Sequence, residues 1–414
     1  MKVARARNGT GKPVPSAEAQ GIQSVAESTK DSSGQIPGQP ITHDPDEIRV
    51  SFFFDGTGNN YDADYPTLEH SNVARLWNAH KLPSGKVYRF YVPGIGTYFK
   101  DIGDDGGLFG MGFGAWGWAR LQWAQKQLQD VVKRHHTRTL AIAIFGFSRG
   151  AALARAFALW IAGQTVAKDG KYYYGFKGRE VGIRIYFMGL FDTVASVGLP
   201  SSTLTTVDYV WNQAQMIPNS KLERLASGPG AADPTAGLTD GHAMWASDLN
   251  IPALVEHCVH MTSVHENRNS FPLDSVLTTR GWPAGCLEMF YPGVHSDIGG
   301  GYRAGESARS IKPKLQLSTI PLRAMYYAAL AAGVPLRARS KMGVELLKDF
   351  GWDAGARSES ARLLELFKYY MDKAGWGDVD MGPLMLSHTK LYYQWRFHRI
   401  FRIGRLRKMG KPSE

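Results

Sequence analysis

The segment that most constrains the chain is Thr139–Phe147 (TLAIAIFGF), followed at once by Ser148 and then by RGAALARAFALWIAG. An apolar run of strand length without alternation predicts a strand covered on both faces, which belongs in a parallel sheet. Residues 149–163 predict a helix stopped by Gly163. A strand that passes directly into a helix leaves one residue at the bend. Here that residue is Ser148, within Gly146-Phe147-Ser148-Arg149-Gly150.

Other segments fit the same scheme. Arg49–Phe54 (RVSFFF), Val87–Val92, Val181–Phe191 and Cys286–Val294 are predicted strands. Helices are predicted over 115–136, 149–163, 253–266 and 318–332. Strands separated by helices, without alternation, predict an α/β fold with a mostly parallel sheet flanked by helices. Hydrophobic residues make up 43% and charged residues 21%, so most of the length can contribute to a core. Residues 1–46 are rich in Gly, Pro, Ser, Gln and Thr and read as a flexible leader. Residues 47–335 read as the main domain, with a loop-rich insertion over 200–250. Residues 336–414 read as a helical, increasingly basic extension.

The chemistry follows from the bend. A serine hydroxyl is a poor nucleophile until a histidine takes its proton and a carboxylate orients that histidine. A G-x-S-x-G turn between strand and helix presents the serine at the sheet edge, and the amide of the next residue, Arg149, faces a developing oxyanion. A glycine-flanked helix cap is the bland alternative for Ser148. Asp192 ends the next apolar strand, where carboxylates of parallel sheets point toward ligands; capping the following segment is its alternative. His295 follows a late strand and opens a Gly-rich loop suited to reaching across the edge. The order Ser148, Asp192, His295 is nucleophile, acid, base, as in the α/β-hydrolase fold. Asp297 competes as the acid, but two residues from His295 it is better placed to shape the loop.

Asp55 follows the first strand and belongs on the same edge. One reading makes Asp55-Gly56 the source of a second oxyanion amide, from Gly56. A second makes Asp55 a phosphatase-type nucleophile, which wants another Asp where this chain has Thr57. A third makes it a structural loop carboxylate. His135-His136 and His260/His265 are assigned to no metal, and the chemistry calls for no cofactor. Cys258 and Cys286 are the only cysteines and read as buried thiols rather than a disulfide framework.

Taken together, Phe52–Asn60 (FFFDGTGNN), Gly146–Ala151 (GFSRGA), Phe191–Gly198 (FDTVASVG) and His295–Tyr302 (HSDIGGGY) resemble one family, that of the Tle1-type phospholipase effectors of type VI secretion. The resemblance covers roughly 47–335. It implies an α/β-hydrolase fold and a triad of Ser148, Asp192 and His295. It implies a phospholipase of A2 type, or A1, acting on bacterial membrane glycerophospholipids. It also implies an immunity protein and a secretion spike as partners. Members of the effector group are often longer, with a large C-terminal membrane-associating region, whereas about 80 residues follow the catalytic domain here.

Charge distribution bears on membrane contact. The net charge is +11, with a sequence pI near 9.4. Lys390–Lys411 holds eight basic residues and no acidic one, interleaved with Trp395, Phe397, Phe401 and other apolar side chains. Such a segment suits an anionic phospholipid surface. No recognised module supports nucleic acid as a partner. Gly103–Trp118, with Phe109, Met111, Phe113, Trp116 and Trp118 among glycines, reads either as an apolar lid or as core and turns. The N-terminus lacks the apolar run of a signal peptide, and no stretch is long enough to span a membrane. The expectation is synthesis in the cytoplasm and delivery by another route, by type VI secretion if the resemblance holds, to the membrane of a target cell. Two rivals remain: an esterase for a soluble ester, and a non-catalytic binding protein on a hydrolase scaffold.

Overall fold

The computed structural model describes residues 4–6, 44–106, 112–135, 139–194, 244–246, 248–266, 273–278, 281–306, 310, 315–352, 359–374, 378–379 and 386–394. The strands used below are β1 (Ala4–Ala6), β2 (Ile48–Phe54), β3 (Val87–Val92), β4 (Thr139–Phe147), β5 (Thr165–Lys168), β6 (Lys171–Phe176), β7 (Arg179–Phe191), β8 (Cys258–Ser263) and β9 (Cys286–Tyr291). The helices are α1 (Asn72–Ala79), α2 (Gly112–Arg134), α3 (Arg149–Gly163), α4 (His295–Gly299), α5 (Thr319–Ala331) and α6 (Glu359–Ala374).

The strands form one sheet in the order β1-β9-β8-β7-β4-β2-β3. From β9 to β3 every neighbouring pair is parallel. The fold is therefore α/β, with a mostly parallel sheet and flanking helices. β1 adds antiparallel to β9, with Ala4 opposite Phe290, so this part of the stretch read as leader lies on the sheet. A hairpin of β5 and β6 adds antiparallel to the first half of β7, a feature not predicted from sequence.

Successive residues of β2 show why the sheet is buried on both sides. Phe53 joins one core with Phe145, Phe187, Met289 and Tyr326, while Phe52 and Phe54 join the other with Ile142, Ile144, Leu128 and Phe157. α5 and α6 contribute to the first core, α2 and α3 to the second. Hence the strands read as continuous apolar runs.

One predicted element is wrong. Residues 253–266 contain no helix; Cys258–Ser263 is β8, in register with β7 and β9. All six of its side chains are buried, polar and apolar alike, so its sequence carries no alternation that tells strand from helix. Residues 107–111 of the lid candidate lie outside the described residues, and Gly112–Trp118 opens α2. Most of the 200–250 insertion and the whole of 395–414 also lie outside the described residues. None of the described helices is long and apolar enough to cross a membrane.

Candidate active site

Asp55, Ser148 and Asp192 each occupy the first position after β2, β4 and β7. The register sets Phe54 beside Gly146 and Phe147 beside Phe191, so these strands end within one residue of each other. The amides of the three residues continue the ladder. Asp55 donates to Val92 O at 3.0 Å, Ser148 to Phe191 O at 3.0 Å and Asp192 to Met261 O at 2.7 Å. Three candidate side chains thus leave the same carboxyl edge, the usual ligand edge of an open parallel sheet.

Ser148 has φ 56° and ψ −127°. A non-glycine residue there is strained, and such strain collects at functional sites. Its side chain makes no capping bond to α3, so the helix-cap reading does not account for it. The elbow is tight because the neighbouring backbone comes very close. A Cβ on Gly150 would stand 2.3 Å from Asp55 O, and one on Gly146 2.5 Å from Ala151 Cα.

Asp192 and His295 meet across the edge. His295 Nδ1 lies 2.7 Å from Asp192 Oδ2. Ser263 donates to the same carboxylate twice, from N to Oδ1 at 2.7 Å and from Oγ to Oδ2 at 2.9 Å. Burial pushes the Asp192 carboxyl up, but the bonds and charge of His295, with those from Ser263, outweigh it and hold the group below the usual carboxylate range. The His295 ring stacks on Phe147, the residue before Ser148, with centroids 4.7 Å apart. So the structure brings Asp192 and His295 together and lays the imidazole against the Ser148 elbow.

Asp297 Oδ2 accepts from Val294 N at 3.0 Å, closing the turn that opens α4. Glu266 Oε2 accepts from His295 N at 3.2 Å. Asp55 is buried and holds its own loop. Its carboxylate accepts from Ser71 Oγ at 2.5 Å, Tyr91 OH at 2.5 Å and Gly56 N at 2.7 Å. Burial raises its pKa to about 6 against those bonds. The Gly56 amide, expected at an oxyanion, is thus directed at Asp55 instead. Arg149 sends Nε to Thr57 Oγ1, which ties the elbow to the same loop. Burial pulls its guanidinium down to about 10.

Sequence reasoning missed Ser263, because β8 was read as helix, and Ser71 and Tyr91, which reach Asp55 from other elements. It also missed a second buried pair. His260 Nδ1 lies 2.8 Å from Glu288 Oε2, and its Nε2 accepts from Thr193 N at 3.1 Å, with Thr193 Oγ1 at 3.0 Å.

A model of the catalytic domain of Tle1-like phospholipase effectors of the type VI secretion system (T6SS) matches residues 49–174 and 175–328. The chain belongs to this Tle1-like family. A comparison with curated proteins gives no match. Among solved structures, an uncharacterized protein from Pseudomonas aeruginosa is 27% identical, with a TM-score of 0.60 over 85% of this chain and 54% of that one. The Tle1 effector bound to the VgrG spike of the type VI secretion system is 22% identical, with a TM-score of 0.37 over 63% of this chain and 52% of that one. The Tle1-like chain therefore spans about half the length of the solved relatives it matches.

Proposed function

We propose that this Tle1-like chain is a serine phospholipase. The observation that carries the reading is His295, bonded to Asp192 at 2.7 Å and stacked on the residue before Ser148. Family membership supports a phospholipid as the substrate class. Ser148 Oγ attacks the acyl carbonyl of a membrane glycerophospholipid while His295 Nε2 takes its proton. Asp192 holds the imidazole in the tautomer that bears its proton on Nδ1 and stabilises the imidazolium. The Arg149 amide opens α3, where helix N–H groups lack intrahelical acceptors, and it stabilises the oxyanion. The Gly56 amide becomes the second donor once its bond to Asp55 is exchanged. The lysolipid leaves with the proton from His295, and water, activated by the same imidazole, releases the fatty acid.

The same reading makes the protein an antibacterial effector carried by a type VI spike to a target membrane, with an immunity protein in the producing cell. The test is hydrolysis of phosphatidylethanolamine–phosphatidylglycerol vesicles beside soluble p-nitrophenyl esters. Wild type should release fatty acid from the vesicles, and Ser148→Ala should not. Full lipid hydrolysis by Ser148→Ala sinks the triad. Turnover of the soluble esters alone would make the protein an esterase of another kind. Acyl chains labelled at one glycerol position distinguish A1 from A2 action.

A further inference from the structure

The backbone leading into His295 is gripped from β8. His265 N donates to Gly293 O at 3.0 Å, and Gly293 N donates back to His265 Nδ1 at 3.0 Å. One residue on, Glu266 Oε2 accepts from His295 N. Two consecutive residues thus fix the peptide units on both sides of Val294, and these set where the His295 ring starts.

The far side of His265 faces the C-terminal extension. Its Nε2 lies 3.0 Å from Tyr370 OH, on α6, and that hydroxyl lies 2.9 Å from His388 Nδ1, on the helix over 386–394. Tyr392 stacks on the His265 ring with centroids 5.1 Å apart. The proton positions follow by elimination. Gly293 N is a donor, so His265 Nδ1 is bare and the neutral ring carries its hydrogen on Nε2. That N–H donates to Tyr370, and Tyr370 O–H in turn donates to His388 Nδ1. Burial pushes both histidines down to about 4, so the neutral forms this chain requires prevail at pH 7.

We propose that His265 and Tyr370 are positioning residues for His295. They make the C-terminal helices a working part of the acyl-transfer site. The inference rests on the reading of Ser148, His295 and Asp192 as a triad. Neither residue touches substrate. Each acts through the Gly293–His295 backbone, and misplacement of a catalytic group by about 1 Å costs on the order of a hundredfold in rate.

The full chain is assayed by the rate of Ser148 phosphonylation by a fluorophosphonate, which stands in for acylation, by kcat and KM on p-nitrophenyl butyrate, and by thermal melting. The soluble ester removes any contribution of the basic tail to lipid binding. His265→Ala should slow acylation and kcat by about tenfold or more with KM within about twofold. His265→Asn keeps an acceptor for the Gly293 amide and should recover most of that loss. Tyr370→Phe, lacking only the hydroxyl, should slow acylation about threefold. Folded variants that all acylate at the wild-type rate would overturn the inference. So would losses that follow the folded fraction, with Asn no better than Ala, or a change confined to KM. If folded wild type itself fails to label, the triad reading falls and takes this inference with it. That outcome differs from one in which wild type and variants label alike.

Discussion

Two buried histidine–carboxylate pairs sit within one strand of each other in different settings. Asp192–His295 is 2.7 Å and Glu288–His260 is 2.8 Å, and both use Nδ1. The difference is position. His260 and Glu288 are register partners inside β8 and β9, below the edge. There His260 Nε2 is taken by the N–H of Thr193, the residue after Asp192. His295 stands above the edge, its ring against Phe147. A carboxylate-held imidazole is therefore not by itself the mark of a catalytic site. What its second nitrogen meets decides, and here that follows from whether the residue lies within a strand or beyond its end.

The sharpest way to break this contrast is to neutralise each carboxylate. Asp192→Asn should lower kcat on phospholipid vesicles by about 10⁴-fold, because the imidazole loses its tautomer and its counter-charge. Folding should be retained, since Asn Oδ1 still accepts from Ser263 N and its Nδ2 can donate to Ser263 Oγ. Glu288→Leu should do the reverse. It strips the acceptor from His260 Nδ1, Ser275 Oγ and Val276 N at once. Leaving such buried groups unpaired costs about 4 kcal/mol. Denaturant unfolding should show that loss, while turnover per folded molecule stays within several-fold of wild type. Activity lost from Glu288→Leu without loss of stability would erase the distinction between the pairs.

Histidines bonded to hydroxyls and backbone groups rather than to carboxylates sharpen it further. Burial pushes His80, His265 and His388 each down to about 4. Each binds its proton more readily in the unfolded chain, so protonation between pH 6.5 and 4 favours unfolding and stability falls as the pH falls. Asp55 opposes this. Raised to about 6, it holds a proton that the unfolded chain gives up, so its contribution grows as pH drops from about 6 toward 4. Three histidines against one carboxyl leave a net loss of about 5 kcal/mol between pH 6.5 and 4.5. Urea unfolding across that range should show it. A flat profile would mean that these imidazoles are not held neutral by the fold.

The contrast also marks where sequence is legible. Thr139–Phe147 and Val181–Phe191 announce themselves because a strand covered on both faces must be apolar throughout, and the first residue past such a run stands at the edge. Ser148 and Asp192 are found by that logic alone. Inside the sheet the logic fails. Cys258–Ser263 has the same composition as a buried helix segment, so β8 is lost and His260, Ser263 and Thr193 lose their context. That His260 faces Glu288 depends on register, which no local pattern carries. That the Gly56 amide donates to the Asp55 carboxylate is likewise marked by nothing local. Tyr370 and His388 reach His265 across more than a hundred residues of sequence, and nothing local marks them.

The smallest effect tests the elbow itself. Ser148 is held at φ 56°, where a Cβ is unfavourable and glycine is not. Ser148→Gly removes the strain together with the hydroxyl. It should abolish labelling by fluorophosphonate and yet raise stability by about 1 kcal/mol, even after the entropy glycine adds to the unfolded chain. Ser148→Ala keeps the Cβ at the same φ, so it should be as inactive and less stable than the glycine variant. Matched thermal melts of the two variants isolate the backbone term, because both lack the nucleophile. Equal melting temperatures would mean that the elbow stores no strain, and that the backbone holds Ser148 at the sheet edge without cost.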